Sequence, residues 1–145
     1  MKRLDNQQIE PISMYIAGGS GCFIHNVLDT KDEPIPEGYD SVLEYWEGES
    51  GMSAPVECQE ESTHQNVDGT YADKKDLDGA HVRIDDVDCP DDWAWIVPLC
   101  GHCNNDDNTC CMKMPAGTVF VPTKMSKAHH TAHDERDVWI KALMD

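Results

Sequence analysis

The residues whose types and spacing point first to chemistry are Cys100 and Cys103. Two thiols with two residues between them, at the end of an apolar run, can converge on one tetrahedral ion. The N–H groups of the tight turn between them then point at the sulfurs. A structural zinc site needs two more nitrogen or sulfur donors. Upstream, Cys58 and His64 can supply them, although the five residues between these two make a looser spacing than the usual knuckle. The expected ligand set is Cys58, His64, Cys100 and Cys103, with Zn²⁺ as a structural cofactor.

Other donors compete. Cys89 lies in an acidic loop and is the substitute if His64 fails. Cys22 and His25 have two residues between them, but they fall within an expected strand, where core roles are commoner. Cys110 and Cys111 are adjacent, so a strand would send them to opposite faces. His129, His130 and His133 include a pair at helical i, i+4 spacing, which is expected to be solvated at a helix start. His102, between the two cysteines, is expected to face solvent.

The elements that must position these donors follow from hydrophobic periodicity. Residues 12–17 and 22–28 read as two strands of a hairpin around a Gly-Gly-Ser-Gly turn. Ser41 and Glu44 have capping-box spacing, and Val42, Tyr45 and Trp46 then share one helical face. Residues 79–84 alternate, with Ala80, Val82 and Ile84 on one side and His81 and Arg83 on the other. Residues 93–98 form a second strand leading into the Cys100–Cys103 turn. Residues 109–114 and 118–121 suggest another hairpin, and a last helix is expected from about 131 to 144, with Val138, Trp139, Ala142 and Leu143 as its apolar side. The chain is expected to be one domain over 1–145, with 12–50 as N-terminal hairpin and helix, 58–107 as zinc core and 109–145 as C-terminal hairpin and helix.

Charge is the strongest compositional signal. The 145 residues include 28 acidic and 11 basic side chains, a formal net charge of −17. The first hundred residues hold 22 acids against 6 bases, and the remainder is nearly balanced. A field of that sign repels phosphate backbones and favours basic partners, so direct nucleic-acid binding is not expected. Solubility, or adaptation to a salty cytoplasm, is the plain explanation of the same acid. No apolar run approaches the roughly 20 residues a membrane-spanning helix needs, and the first ten residues lack the apolar stretch of a secretion signal. The expected setting is the cytoplasm, where cysteines at short spacing more often bind metal than form disulfides.

Gly79-Ala-His-Val-Arg, followed by Trp95-Ile-Val-Pro-Leu-Cys-Gly-His-Cys-Asn104, resembles the ββα-metal core of HNH nucleases. The resemblance covers about a third of the chain. It implies an α+β fold in which a treble-clef zinc holds together a ββα core, here with an N-terminal β-hairpin and flanking helices. It also implies His81 as the general base that activates water and Asn104 as a ligand of catalytic Mg²⁺. Two further positions of the family's pattern are replaced, by Ala80 and Trp95. Around Asn104 the sequence offers Asp106 and Asp107 where the family usually places Lys or Arg. A looser resemblance, running from the helix ending Tyr-Trp-Glu to the Val-Pro-Leu-Cys strand, links the chain to a group of small, uncharacterised bacterial and phage proteins.

These readings lean away from an enzyme. They lead to a non-catalytic zinc-binding interaction module, phage-related, whose acidic surface docks on a basic or nucleic-acid-binding protein. One alternative is a divergent HNH-like nuclease using His81 and Asn104. Another is a small structural zinc protein with no specific partner.

Overall fold

The sheet is organised by its most apolar segment. Residues Trp93–Cys100 read WAWIVPLC, and from Ala94 onward every one of them is buried. A strand of this kind must be covered on both faces. In the computed structural model, which describes residues 13–61, 64, 73–105 and 108–132, that strand lies near the middle of a six-stranded sheet. The strands are β1 (Tyr15–Ile16), β2 (Cys22–Asn26), β3 (Leu77–Ile84), β4 (Trp93–Cys100), β5 (Met112–Met114) and β6 (Val119–Lys124). Their order is β1-β6-β4-β3-β2-β5, every pairing is antiparallel, and the sheet curls into a half-barrel.

The two faces of β4 bury different things. Trp95, Val97 and Leu99 join Ile24, Ala80, Val82, Ile84, Met112, Met114 and Phe120 in the main core inside the curl. Ile96 instead meets Val121 and Trp46 under the one helix among the described residues, α1 (Val42–Ser50). Ser41 caps α1 by accepting the Glu44 N–H at 3.0 Å, and Gly51 closes it in the left-handed conformation at φ 73°. Two side chains moor the helix to the sheet. The Trp46 indole donates to the Val119 carbonyl at 2.8 Å, and the Tyr45 hydroxyl donates to the Pro122 carbonyl at 2.6 Å. Across β3, α1 comes so close that Gly79 has no room for a side chain.

This architecture overturns the expected α+β fold with a treble-clef, HNH-like ββα core. The turn at residues 101–103 is followed by a bend at Asn104, and the described residues between it and β5 carry no helix. The cause lies in the asparagines. The Cys103 carbonyl, which a helix would offer to an N–H four residues on, accepts from the side-chain amides of Asn26 at 2.8 Å and Asn108 at 2.9 Å. Asn and Asp side chains compete with the helical ladder in this way and favour turns. Asp106 and Asp107 lie outside the described residues.

Both expected hairpins are also replaced. β1 pairs with β6, and β2 pairs with β3 and β5, so neither β1–β2 nor β5–β6 is a hairpin. The two segments instead run antiparallel to each other around a shared corner. Tyr15 faces Phe120 on one side of it and Cys22 faces Met114 on the other. The corner is tied by Ala17 N–H to Thr118 O at 2.9 Å and Gly117 N–H to Ala17 O at 3.0 Å. Gly21, at φ 82°, sits against the Met114 carbonyl, where any side chain would collide. The expected final helix falls almost wholly outside the described residues. Of its start, Thr131 makes a single bridge to Val27 and Ala132 is buried. Among the described residues no helix is long and apolar enough to cross a membrane.

Candidate metal centre

The site is assembled from two distant parts of the chain. β4 ends at Cys100, and the turn after it brings Cys103 back beneath the strand end, closed by the Asn104 N–H on the Cys100 carbonyl at 2.8 Å. The long connection from α1 to β3 passes this point. There the Cys58 N–H bonds the Lys74 carbonyl at 2.7 Å, and the Glu61 N–H bonds the Lys113 carbonyl at 2.9 Å. Glu60, itself buried, accepts the Lys113 N–H at 2.7 Å. These bonds pin the segment carrying Cys58 and His64 over the Cys100–Cys103 turn.

The donor atoms of Cys58, His64, Cys100 and Cys103 all lie within 4.8 Å of one another, and all four residues are buried. The Cys58 and Cys103 sulfurs are 3.9 Å apart, and His64 Nε2 is 3.3 Å from the Cys103 sulfur. A tetrahedral zinc with ordinary bond lengths requires about 3.8 Å between two sulfur ligands and about 3.5 Å between sulfur and nitrogen. The cluster thus needs only small adjustments to enclose an ion.

Its electrostatics also suit a cation. The hydrogen bond shared with the Cys103 thiol outweighs burial and draws the Cys58 thiol down to about 5, helped by the backbone N–H groups of Cys100 and Glu60 and by His64. Burial pushes the Cys100 thiol up, and the neighbouring Cys58 charge adds to this against the Cys103 N–H that points at its sulfur. One thiolate therefore forms readily, and the next is opposed by it. A divalent cation would relieve that opposition. All seven cysteines are free of disulfide bonds.

The competing donors go elsewhere. Cys22 faces the main core, where burial, with Asp85 adding, pushes its thiol up to about 11. His25 points to the opposite face of β2 and meets Asp85, so the two cannot share an ion. Cys89 packs against the core, and its carbonyl accepts from Arg83 at 3.1 Å. Cys110 is not in the cluster. His102 is exposed beside the His64 ring, with ring centroids 6.4 Å apart.

His81 and Asn104 do line one cleft, of about 440 Å³, with Glu33, Val42, Gly79 and Asn105. Among the described residues, however, no set of three metal donors converges in it. The one acid there, Glu33, is already engaged. It accepts from the Ser126 N–H and hydroxyl, both at 2.6 Å, and from His129 Nε2 at 2.8 Å. His129, expected to be solvated, has only 3% of its side chain exposed and also bonds the Leu28 carbonyl at 3.0 Å. Both its ring nitrogens face acceptors, an arrangement fully satisfied only by the doubly protonated ring. His130 is exposed, and His133 lies outside the described residues.

Sequence reasoning missed Glu33 and Asn26. Glu33 was one acid among many in a proline-rich loop, and nothing local marks it as buried. Asn26 sits inward on β2 and, besides holding Cys103, reaches the Asn108 and Asn105 carbonyls at 3.3 and 3.4 Å. A polar residue at an inward position of an alternating strand was the available signal for it.

These buried groups set an acid limit on stability. Burial, with the His129 charge adding and Glu33 opposing, brings His81 down to about 4 from 6.5. Burial pushes the Glu33 carboxyl up, but the Ser126 and His129 hydrogen bonds and the His129 charge prevail and hold it at about 2, against 4.5 when unperturbed. In both cases the unfolded chain binds protons more readily. The stabilisation is complete above pH 6.5. It is lost as pH falls through 6.5 to 4 for His81 and through 4.5 to 2 for Glu33. For His81 the loss is on the order of 2–3 kcal/mol. Urea unfolding at pH 7, 5 and 4 is expected to show the first loss in wild type and a flatter profile in His81→Gln. Equal slopes in the two proteins would refute the assignment to His81.

No family model, curated protein or solved structure matches the chain, so the chemistry of this buried Cys₃His cluster rests on its own geometry.

Proposed function

We propose that the protein is a non-catalytic, zinc-stabilised interaction module. The observation that carries this is the convergence of Cys58, His64, Cys100 and Cys103 in a buried set with four donors. Three thiolates and one imidazole suit Zn²⁺ by softness and by coordination number. A set of four protein donors leaves no open position, which is the pattern of a structural site and not of a catalytic one. Zinc would close the long connection between α1 and β3 onto the end of β4, in a region whose own apolar anchors are few. Elemental analysis of protein purified without added metal is expected to give about one zinc per chain. An absence of zinc, with full cooperative unfolding, would refute this reading.

The interaction half of the proposal rests on charge. Asp29, Asp32, Glu37 and Asp40 in one loop, and Asp85, Asp86, Asp88 and Asp91 in another, are all exposed. Such a surface favours a basic protein partner at long range. An arginine-rich peptide is expected to bind at low ionic strength and to be released at about 0.5 M salt, where the Debye length shrinks to a few ångströms. No binding at low ionic strength would remove this half of the proposal and leave the zinc site untouched.

A further inference from the structure

A second group of donors lies on the other side of the sheet. Along β2, Cys22, Ile24 and Asn26 are buried, whereas Phe23 and His25 face outward. The β2–β5 register sets Ile24 against Met112, so Cys111, one residue earlier, lies across from His25. Asp85 follows β3 and is held there by its N–H on the Phe23 carbonyl at 2.9 Å. Three neighbouring strands thus bring an imidazole, a carboxylate and a thiol together on the outer face. His25 Nδ1 is 2.9 Å from Asp85 Oδ1, the Cys111 sulfur is 3.9 Å from Asp85 Oδ2, and the three donor atoms lie within 4.8 Å of one another.

From this geometry we infer a second metal site, formed by His25, Asp85 and Cys111, that takes a divalent ion of the zinc class with water in the remaining position. The mixed nitrogen, oxygen and sulfur set favours Zn²⁺ or Co²⁺ over Mg²⁺ or Ca²⁺, which require oxygen ligands. His25 is nearly enclosed and Asp85 is exposed, so the ring is held in place and the ion is reached from solvent. The His25 Nε2 atom is buried with no hydrogen-bond partner, which leaves Asp85 as the ring's polar contact. An ion at Nδ1 takes the place of any proton there, which moves to Nε2 or leaves to solvent, and the Cys111 thiol gives up its proton to solvent, so affinity falls with acidification. With three protein donors against four, it is lower than at the buried centre. Its open position distinguishes it from a closed structural site and leaves room for an exchangeable ligand.

The test is titration of full-length protein, already loaded with one equivalent of zinc, with Co²⁺. Wild type is expected to take up one further equivalent and to show a thiolate-to-cobalt charge-transfer band. In Cys111→Ser the band is expected to vanish. In both Cys111→Ser and His25→Ala affinity for that equivalent is expected to fall by roughly tenfold or more, with zinc content and unfolding midpoint unchanged. No second equivalent in wild type, or a second equivalent that neither substitution weakens, would overturn the assignment. Retention of the first zinc in these variants separates failure here from failure of the buried centre.

Discussion

Removal of the zinc proposed for the buried centre is expected to produce the largest loss of stability available to this protein. A strong chelator, or Cys103→Ser, should strip the metal and lower the unfolding midpoint by about 10 °C or more, which for a chain of this size corresponds to roughly 3–5 kcal/mol. The four donors come from the two ends of a long excursion, Cys58 and His64 before β3, Cys100 at the end of β4 and Cys103 just after it. Without the ion, three sulfurs and an imidazole are left crowded in a buried space, and Cys58 to Glu61 are tied by backbone bonds to Lys74 and Lys113 and by the Glu60 carboxylate on the Lys113 N–H. Cys89→Ser provides the control, because that residue packs against the core away from the cluster and should leave metal content unchanged. Calorimetry with and without chelator measures the effect. Identical unfolding curves would show that the cluster does not support the fold, whatever it binds.

The second large effect is expected at a glycine. Gly79 lies on β3 where the start of α1 crosses it. A Cβ added there would stand 2.6 Å from the Val42 carbonyl carbon and 2.7 Å from the Leu43 nitrogen, both backbone atoms that cannot swing aside. Gly79→Ala must lift the helix from the sheet or distort the strand. Its expected cost is about 2–3 kcal/mol, at the upper end for overpacking. Lifting α1 also strains the Trp46 and Tyr45 hydrogen bonds to β6, because the helix moves as a unit. Gly18→Ala, at a site with nothing within 4 Å, is the control and should change stability by less than about 0.5 kcal/mol. Chemical denaturation of the two variants makes the comparison. Equal stabilities would mean that α1 can shift on the sheet without loss.

Local signals identified the individual pieces well. Ser41 and Glu44 announced the start of α1 because capping chemistry acts within a single turn. Alternation in residues 80–84 placed Ala80, Val82 and Ile84 in the core because a strand's side chains alternate whatever it pairs with. The donors read from the sequence, Cys58, His64, Cys100 and Cys103, are those whose atoms converge, since two of them sit on one tight turn and the other two were the nearest candidates upstream.

Tertiary structure decided everything that depended on pairing between distant segments. Residues 12–28 and 109–121 each look like a hairpin, because an apolar run, a glycine turn and a second apolar run are what a hairpin requires. Instead Tyr15 and Ile16 pair with Phe120 and Val119, Cys22 to Ile24 pair with Met114 to Met112, and the glycine turns become corners. Where the ββα resemblance implies a helix after Cys103, the Cys103 carbonyl is instead taken by the amide of Asn26, 77 residues away. His129 and Glu33, 96 residues apart, form a buried pair that no short pattern could reveal. The sequence by itself determined strand faces, the helix cap and the paired thiols of the Cys100–Cys103 turn, because each depends on neighbours within a few residues. Strand order, the absence of a ββα core and the outer His25–Asp85–Cys111 group belong to the tertiary structure, because each requires a register between segments that the chain sets only when it folds.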